Sequence, residues 1–253
     1  MSEETSAEGD HRRASIMTAL REGVRRVDDL ALACGVSTMT IRRDLQVLER
    51  RNEIRRVRGG AVPVDAWTFD HRLGRSAAAK DAIAAKLLTL VPDKGGIGFD
   101  GSTTVHRLAR RLKEQPTLDL TAVTTGFETF HELSRTPGCR AYATGGTADP
   151  HTGSLVGPLA EVTLRQFALH TCFLSATHLD GSVGSTEFTA DEAAVKRVLA
   201  AVSERTVLAV DSSKLARRAV ATCLSLDEVD VLVSDLDPGD DRLEPYRGLV
   251  EII

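Results

Sequence analysis

Apolar residues recur at helical spacing in a short stretch near the start of the chain. Ile41, Leu45 and Leu48 stand at i, i+4 and i+7, which puts them on one side of a helix. Ser37, a residue typical of helix N-caps, precedes them. The far side of this predicted helix is mostly polar and carries Met39, Arg43, Gln46 and Arg50, flanked by Thr40 and Arg42. The spacing therefore predicts a helix with one side in a core and the other free for a charged partner.

Two more helices and a hairpin are predicted around this helix. Helical spacing indicates helices at 13–21 and 27–34, and Gly35 supplies the corner before Ser37, which is the helix-turn-helix arrangement. Residues 52–62 alternate apolar and basic side chains around Gly59 and Gly60. They predict a basic two-stranded wing that is able to contact phosphates or the minor groove.

After residue 77, short apolar runs alternate with amphipathic stretches. We predict helices at 77–90, 103–113, 127–134, 159–167 and 191–203, and strands at 96–99, 118–123, 140–143, 172–175, 207–210, 229–233 and 249–252. Strands that alternate with helices indicate an α/β fold with a mostly parallel sheet covered on both faces. Ligands of such sheets bind beyond the carboxyl ends of the strands.

Polar residues are concentrated where these strands end. At 100–104, Gly101 allows a close approach, and the hydroxyl groups and free amides of a helix N-terminus are expected to face outward as a phosphate cradle. At 211–214, Asp211 offers a carboxylate for sugar hydroxyls and Lys214 an ammonium group for a phosphate. Each turn alone also fits a plain helix cap. Their shared placement at one edge predicts that this edge binds a phosphorylated small molecule.

Charge is distributed unevenly along the chain of 253 residues, which is long enough for two domains. Residues 12–62 contain twelve arginines and six acidic residues, a charge of +6 in a protein whose net charge is −4. A basic module attached to an acidic body fits a domain that meets a polyanion. The predicted organisation is a disordered acidic tail at 1–11, a DNA-binding domain at 12–62, a linker at 63–76 and a ligand-binding domain at 77–253.

Several classes of site are not expected from the sequence. The four cysteines form no C-x-x-C pair, which argues against zinc and disulfides and for the cytoplasm. The histidines show no metal-ligand spacing, and no G-x-G-x-x-G follows a strand, so neither a metal nor a dinucleotide cofactor is expected. The apolar runs are too short to cross a membrane.

The N-terminal motifs carry a family resemblance. Val36 and Ser37, then Thr40 to Leu45, then the wing from Arg56 to Ala61 resemble the winged helix-turn-helix of the DeoR family of bacterial transcriptional regulators. The resemblance implies that the third helix reads an operator in double-stranded DNA. The DNA-binding set predicted in this way, together with the helix spacing, is Ser37, Thr38, Met39, Thr40, Arg42, Arg43, Gln46, Arg56 and Arg58.

The rest of the chain resembles the sensor domain of the same family, at 100–104, 153–158, 192–197 and 211–214. That domain is Rossmann-like and similar in fold to ribose-5-phosphate isomerase, and the resemblance implies a phosphorylated sugar as effector. The expected effector-binding residues are Asp100, Gly101, Ser102, Thr103, Thr104, Thr125 and Lys214. Trp67, Phe69 and Arg72 resemble the family's aromatic linker, and Thr125 stands where the family usually has asparagine.

These observations predict a regulator, acting as a repressor of a carbohydrate-catabolism operon and released from its operator by a phosphorylated sugar. One recognition helix reads few base pairs, so a homodimer or homotetramer on paired half-sites is expected. The alternative is a sugar-phosphate isomerase-like enzyme with a DNA-binding arm, for which Asp100 and Glu192 are conceivable bases. Glu192 and Lys196 equally fit a simple i, i+4 ion pair. A structural nucleoid protein is disfavoured, because it would not need the polar strand ends.

Overall fold

The computed structural model describes residues 2–21, 26–51, 53–57, 59–63, 69–115, 117–149 and 152–253. The chain divides into two compact units, Met1–Arg72 and Leu73–Ile253. Within the described ranges, none of the helices combines the length and the apolar character that crossing a bilayer requires.

The first unit consists of three helices followed by a hairpin, as predicted. Its elements are α1 (Ser2–Arg21), α2 (Val27–Cys34), α3 (Thr38–Arg50), β1 (Ile54–Val57) and β2 (Gly60–Pro63). Strands β1 and β2 pair antiparallel. Helices α1 to α3 and strand β1 each contribute fully or almost fully buried side chains to one core, among them Ile16, Leu30, Ile41, Leu45 and Ile54. The apolar side of α3 therefore lies inside this core, as its spacing predicts.

Helix α1 begins earlier than the sequence pattern predicts. A disordered tail was expected at 1–11, whereas the helix already starts at Ser2. Residues 2–11 contain three glutamates and no proline, so their composition is compatible with a helix. Asp10 accepts a hydrogen bond from Arg13 at 2.8 Å and lies 3.5 Å from the guanidinium group of Arg51. These contacts join the early part of α1 to the end of α3.

The segment predicted as a linker, 63–76, contains secondary structure at both of its described ends. Strand β2 reaches Pro63, and helix α4 spans Phe69–Gly74. In α4 the guanidinium carbon of Arg72 lies 5.7 Å from the centre of the Phe69 ring, so two residues of the aromatic linker motif contact each other. Trp67, the third, lies outside the described residues.

The second unit is built on a seven-stranded parallel sheet with the order β14-β13-β11-β8-β3-β4-β5. The strands are β3 (Lys94–Phe99), β4 (Asp119–Thr124), β5 (Cys139–Ala143), β8 (Leu169–Ser175), β11 (Ser203–Ala209), β13 (Val231–Val233) and β14 (Glu251–Ile252). The helices are α5 (Ala77–Leu88), α6 (Thr103–Arg111), α7 (Phe127–Leu133), α8 (Pro158–Leu164) and α9 (Ala190–Ala201). The predicted parallel α/β fold is confirmed.

Both faces of this sheet are covered. Neighbouring residues of β8, Phe173 and Leu174, belong to two different clusters of buried apolar side chains, because successive side chains of a strand point to opposite faces. Phe173 packs against Phe99 of the adjacent strand with ring centres 5.7 Å apart. Burial on both faces explains why the sheet strands read as continuous apolar runs.

Two small antiparallel elements were not predicted. Strands β6 (Thr147–Ala148) and β7 (Leu155–Val156) form a hairpin, and β9 (His178–Asp180), β10 (Gly184–Glu187) and β12 (Ala221–Thr222) form a three-stranded sheet in the order β12-β10-β9. These strands are two to four residues long. A run of that length is too short for an alternating apolar pattern to be recognised.

Candidate DNA-binding and effector-binding sites

Helix α3 presents a polar face to the outside of the first unit. Ser37 caps the helix, because its Oγ accepts a hydrogen bond from the backbone N of Thr40 at 3.1 Å. The hydroxyl oxygens of the same two residues lie 2.9 Å apart, so Thr40, which is half-buried, takes part in the cap. The predicted DNA-contacting residues of α3 whose side chains are exposed are Thr38, Met39, Arg42, Arg43 and Gln46.

Asp44 is a buried acid inside the arginine-rich motif and was not among the predicted site residues. Its carboxylate accepts hydrogen bonds from Nε of Arg12 at 2.6 Å and from Nη1 of Arg13 at 3.0 Å. These ion pairs connect α1 to the recognition helix. The burial of Asp44 could have been predicted from helical spacing. Asp44 follows Ile41 by three residues and precedes Leu48 by four, which places it on the apolar side of the helix.

The wing lies beside α3. Arg56 on β1 is exposed, and its Nη1 donates to the backbone oxygen of Arg42 at 3.5 Å. In the hairpin Arg56 is opposite Ala61. Arg58, the second wing residue predicted to contact DNA, lies outside the described residues. The described part of the predicted DNA-binding set thus occupies α3, its cap and the neighbouring strand.

In the second unit, Asp100 follows β3 and is completely buried. Its Oδ1 accepts a hydrogen bond from the backbone N of Ser102 at 2.9 Å, and its Oδ2 accepts one from the backbone N of Ser175 at 2.8 Å. The ammonium group of Lys196 lies 3.3 Å from the same Oδ2. Both carboxylate oxygens are therefore occupied, and Asp100 organises the loop around it.

Gly101 is required because another loop packs directly against it. A Cβ atom at this position would lie 2.3 Å from Oγ of Ser154. A Cβ atom at Gly126 would lie 2.9 Å from the Cα of Gly101, and Gly126 and Ser154 form an antiparallel bridge. The loops after β3, after β4 and before β7 thus meet backbone to backbone at the carboxyl edge of the sheet.

This packing corrects the expectation that the threonines of the phosphate cradle face outward. Ser102 caps α6 through a hydrogen bond from the backbone N of Val105 at 3.2 Å and is half-buried. Thr103, Thr104 and Thr125 are at most 4% exposed. Among the described residues, the hydroxyl of Thr104 has no hydrogen-bond partner.

Lys196 is a buried cation at the centre of this edge. Its ammonium group contacts Oε1 of Glu187 at 2.6 Å, Oδ2 of Asp100 at 3.3 Å and the backbone oxygen of Ser175 at 2.8 Å. Burial lowers the pKa of Lys196, but the carboxylates of Glu187 and Asp100 outweigh burial and hold that pKa above its ordinary value. Lys196 thus pairs with Glu187, which was not among the predicted site residues, and not with Glu192 as its i, i+4 spacing allowed.

Glu187 could not be recognised from spacing, because it lies on β10 while Lys196 lies on α9. Its carboxylate is 1% exposed and also accepts a hydrogen bond from the hydroxyl of Thr177 at 2.8 Å. Burial raises the pKa of Glu187. The structure therefore places a carboxylate on each side of the Lys196 ammonium group, and this arrangement holds a positive charge in the interior.

Lys214 lies at the same edge, as predicted, and is half-buried. Its ammonium group donates to Oγ of Ser175 at 3.1 Å and to the backbone oxygen of Ala176 at 2.7 Å. Burial lowers the pKa of Lys214. Asp211 was expected to offer its carboxylate to a sugar, but it is buried and accepts hydrogen bonds from the backbone N and the hydroxyl of Ser213. It therefore acts as a cap.

Comparisons with known proteins cover both units. The family model described as a DeoR-like helix-turn-helix domain matches residues 12–66. The family model described as the DeoR C terminal sensor domain matches residues 75–236. The two models together account for the recognition motif, the wing and most of the α/β unit.

Relatives of similar length are transcriptional regulators. The chain is 34% identical to the HTH-type transcriptional regulator GlpR of Haloferax volcanii, over 83% of either chain. It is 30% identical to the transcriptional repressor AccR of Agrobacterium fabrum over 88% of either chain. It is 29% identical to the L-fucose operon activator of Haemophilus influenzae, over 89% of this chain and 91% of that protein. These relatives give the isomerase alternative no support.

Among solved structures, ribose 5-phosphate isomerase A from Neisseria gonorrhoeae aligns with 53% of this chain and 52% of its own, at 18% identity and a TM-score of 0.39. A likeness at this score is too distant to bear on function.

Proposed function

Because the chain belongs to the DeoR family of transcriptional regulators, we propose that it binds an operator in double-stranded DNA and represses a carbohydrate-catabolism operon. In this proposal α3 enters the major groove, the wing contacts the backbone, and a phosphorylated sugar bound at the carboxyl edge of the sheet releases the DNA. Regulation of a sugar operon is supported by the similarity to the L-fucose operon activator of Haemophilus influenzae.

The observation that carries DNA binding is the exposed polar face of α3. Arg43 and Gln46 are exposed, while Ile41 and Leu45 of the same helix are completely buried. Arginine can bind guanine in the major groove through two hydrogen bonds, and glutamine can bind adenine in the same way. A helix held rigidly by its apolar side can present these groups in a fixed register.

Lys214 supports a phosphate ligand. An ammonium group has three N–H donors, and Lys214 uses two of them on Ser175 and Ala176. Its pKa is lowered because burial disfavours its charge, and a bound phosphate would relieve that cost.

The buried charges give this site a rigid base. Asp100 fixes the start of the loop at Ser102, while Lys196 links Asp100 to Glu187. We assign to these three buried residues a positioning role, and to Ser102 and Lys214 contact with the effector. Asp100 then acts on the ligand through the loop that it holds.

The proposed mechanism is linkage between the two sites. If the effector binds better to the form with low DNA affinity, DNA must weaken effector binding by the same factor. We further propose a homodimer or homotetramer, because a single recognition helix reads few base pairs and paired half-sites multiply the contacts. Operator binding implies that the protein works in the cytoplasm.

The test is fluorescence anisotropy with the full chain and duplex DNA from upstream of its own gene and the neighbouring genes, at fixed salt. Each titration is repeated with a panel of pentose and hexose phosphates and with the corresponding free sugars. Tight, sequence-specific binding that one phosphate relieves, and its free sugar does not, is the expected result. Binding without sequence preference, unchanged by every phosphate, would contradict the proposal.

A further inference from the structure

A cleft of about 320 Å³ lies between the start of α2, the recognition helix and the wing. Three arginines from three different elements line it: Arg26 just before α2, Arg42 on α3 and Arg56 on β1. Gly59 and Gly60 of the wing form part of its wall. Arg42 and Arg56 belong to the predicted DNA-binding set, whereas Arg26 does not.

Backbone contacts fix the elements that carry these arginines. Arg26 forms an antiparallel bridge with Gly60, and the backbone N of Val27 donates to the oxygen of Gly59 at 3.0 Å. On the other side, the Arg56 side chain reaches the backbone oxygen of Arg42. The start of α2 and the wing are therefore joined through backbone contacts, and these contacts hold the walls of the cleft in place.

The charge in this cleft is not balanced by the described residues that line it. Asp28 is the one acid among them. It lies 3.7 Å from the guanidinium group of Arg26, but the two side chains are 71% and 75% exposed, so water screens this pair strongly. Three guanidinium groups and one carboxylate leave an excess of two positive charges. Guanidinium groups match the geometry of phosphate oxygens and donate to them in pairs.

We propose that this cleft binds one backbone phosphate of duplex DNA, with Arg26 as a contact residue beside Arg42 and Arg56. The inference rests on the proposed function, since it assumes that the first unit docks on DNA. Phosphate contacts carry no sequence information but set the orientation of the protein on the duplex. A phosphate held between α2, α3 and the wing would fix how α3 enters the groove.

The test uses a random-sequence duplex of about 30 base pairs, because phosphate contacts do not depend on sequence. Binding of the full chain is measured by anisotropy at several salt concentrations. Loss of one phosphate contact makes the slope of log K against log salt shallower by about 0.9. From that slope, Arg26→Ala is expected to weaken binding roughly fivefold to tenfold at 0.1 M salt.

Two matched controls separate a defined cleft from diffuse charge. Arg51→Ala removes the same charge from an arginine that lies outside the cleft and near Asp10, and the slope should remain as in the native chain. Asp28→Asn should strengthen binding, while Asp29→Asn, the neighbouring acid that does not line the cleft, should change it little. Circular dichroism checks that each variant is folded.

The outcomes distinguish this inference from the proposed function. A shallower slope for Arg26→Ala but not for Arg51→Ala supports the cleft. Equal effects of the two arginine variants, together with equal effects of the two aspartate variants, would overturn it while leaving DNA binding intact. If the native chain binds neither the random duplex nor the upstream fragments, the proposed function itself fails.

Discussion

The ion pairs of Asp44 predict a large effect of one substitution in the recognition motif. Asp44→Ala leaves the guanidinium groups of Arg12 and Arg13 without the carboxylate to which they donate. Arg13 retains its hydrogen bond to Asp10, whereas Arg12 loses this partner. We expect the first unit to lose stability, because a charge left partly buried without its counter-charge is costly.

The magnitude follows from the exposure of the three side chains. Asp44 is 4% exposed, Arg12 23% and Arg13 14%. Breaking a buried ion pair costs about 3–5 kcal/mol, whereas an exposed pair contributes about 0–1 kcal/mol. These arginines lie between the two limits, so we expect the free energy of unfolding of the first unit to fall by about 2–3 kcal/mol. For a unit of this size, that corresponds to a decrease in Tm of about 8–20 °C.

Differential scanning calorimetry of the full chain measures this change, with Arg43→Ala as the control. Arg43 precedes Asp44 on the same helix but is exposed, so its removal should leave Tm nearly unchanged. The double variant Arg12→Ala with Asp44→Ala should lose less stability than the sum of the single variants, because the two residues contact each other and either single variant already breaks that contact. A decrease in Tm for Asp44→Ala no larger than for Arg43→Ala would refute the reasoning.

Four further predictions concern the two sites. Arg43→Ala should abolish specific operator binding in anisotropy while calorimetry still detects effector binding, and native operator affinity would contradict its role. Lys214→Ala should retain operator binding but lose relief by the sugar phosphate. In the native chain the effector should raise the lowered pKa of Lys214. Effector binding should therefore take up protons and weaken as pH rises. Calorimetry in buffers of different ionisation enthalpy measures this proton uptake, with Lys214→Ala as the control. Gly101→Ala should lower Tm, because the Cβ atom of the new alanine would lie too close to Oγ of Ser154. If adding Ser154→Gly to this variant does not raise Tm again, the clash is not the cause.

Local features were predictable from the sequence because they depend on residues close together in the chain. The cap at Ser37, the buried side of α3 and the bounds of α2 follow from helical spacing and from Gly35. The order of the sheet strands could not be derived. Strands β3 and β8 are neighbours although β4 and β5 lie between them in the chain, and many strand orders fit the same alternation of helices and strands.

The candidate effector site shows the same limit. Spacing indicated which segments end at the carboxyl edge, and Lys214 and the loop at Asp100 do lie there. It could not show which side chains are buried: Thr104 is completely buried, and Ser154 from a distant loop packs against Gly101. Nor could it pair Lys196 with Glu187, because residues on different elements have no common periodicity.

The salt bridges on α1 also change how the first unit meets DNA from a distance. Its arginines are numerous, but Arg12 and Arg13 of α1 face Asp44 and Asp10, whereas Arg42 and Arg43 of α3 are exposed. The exposed charges of Arg42 and Arg43 therefore lie on the side of α3. In the field of a polyanion, such an asymmetry turns the molecule before contact and raises the association rate at low salt. The buried acid of the recognition motif thus influences the direction of approach to DNA as well as the packing of the helix that reads it.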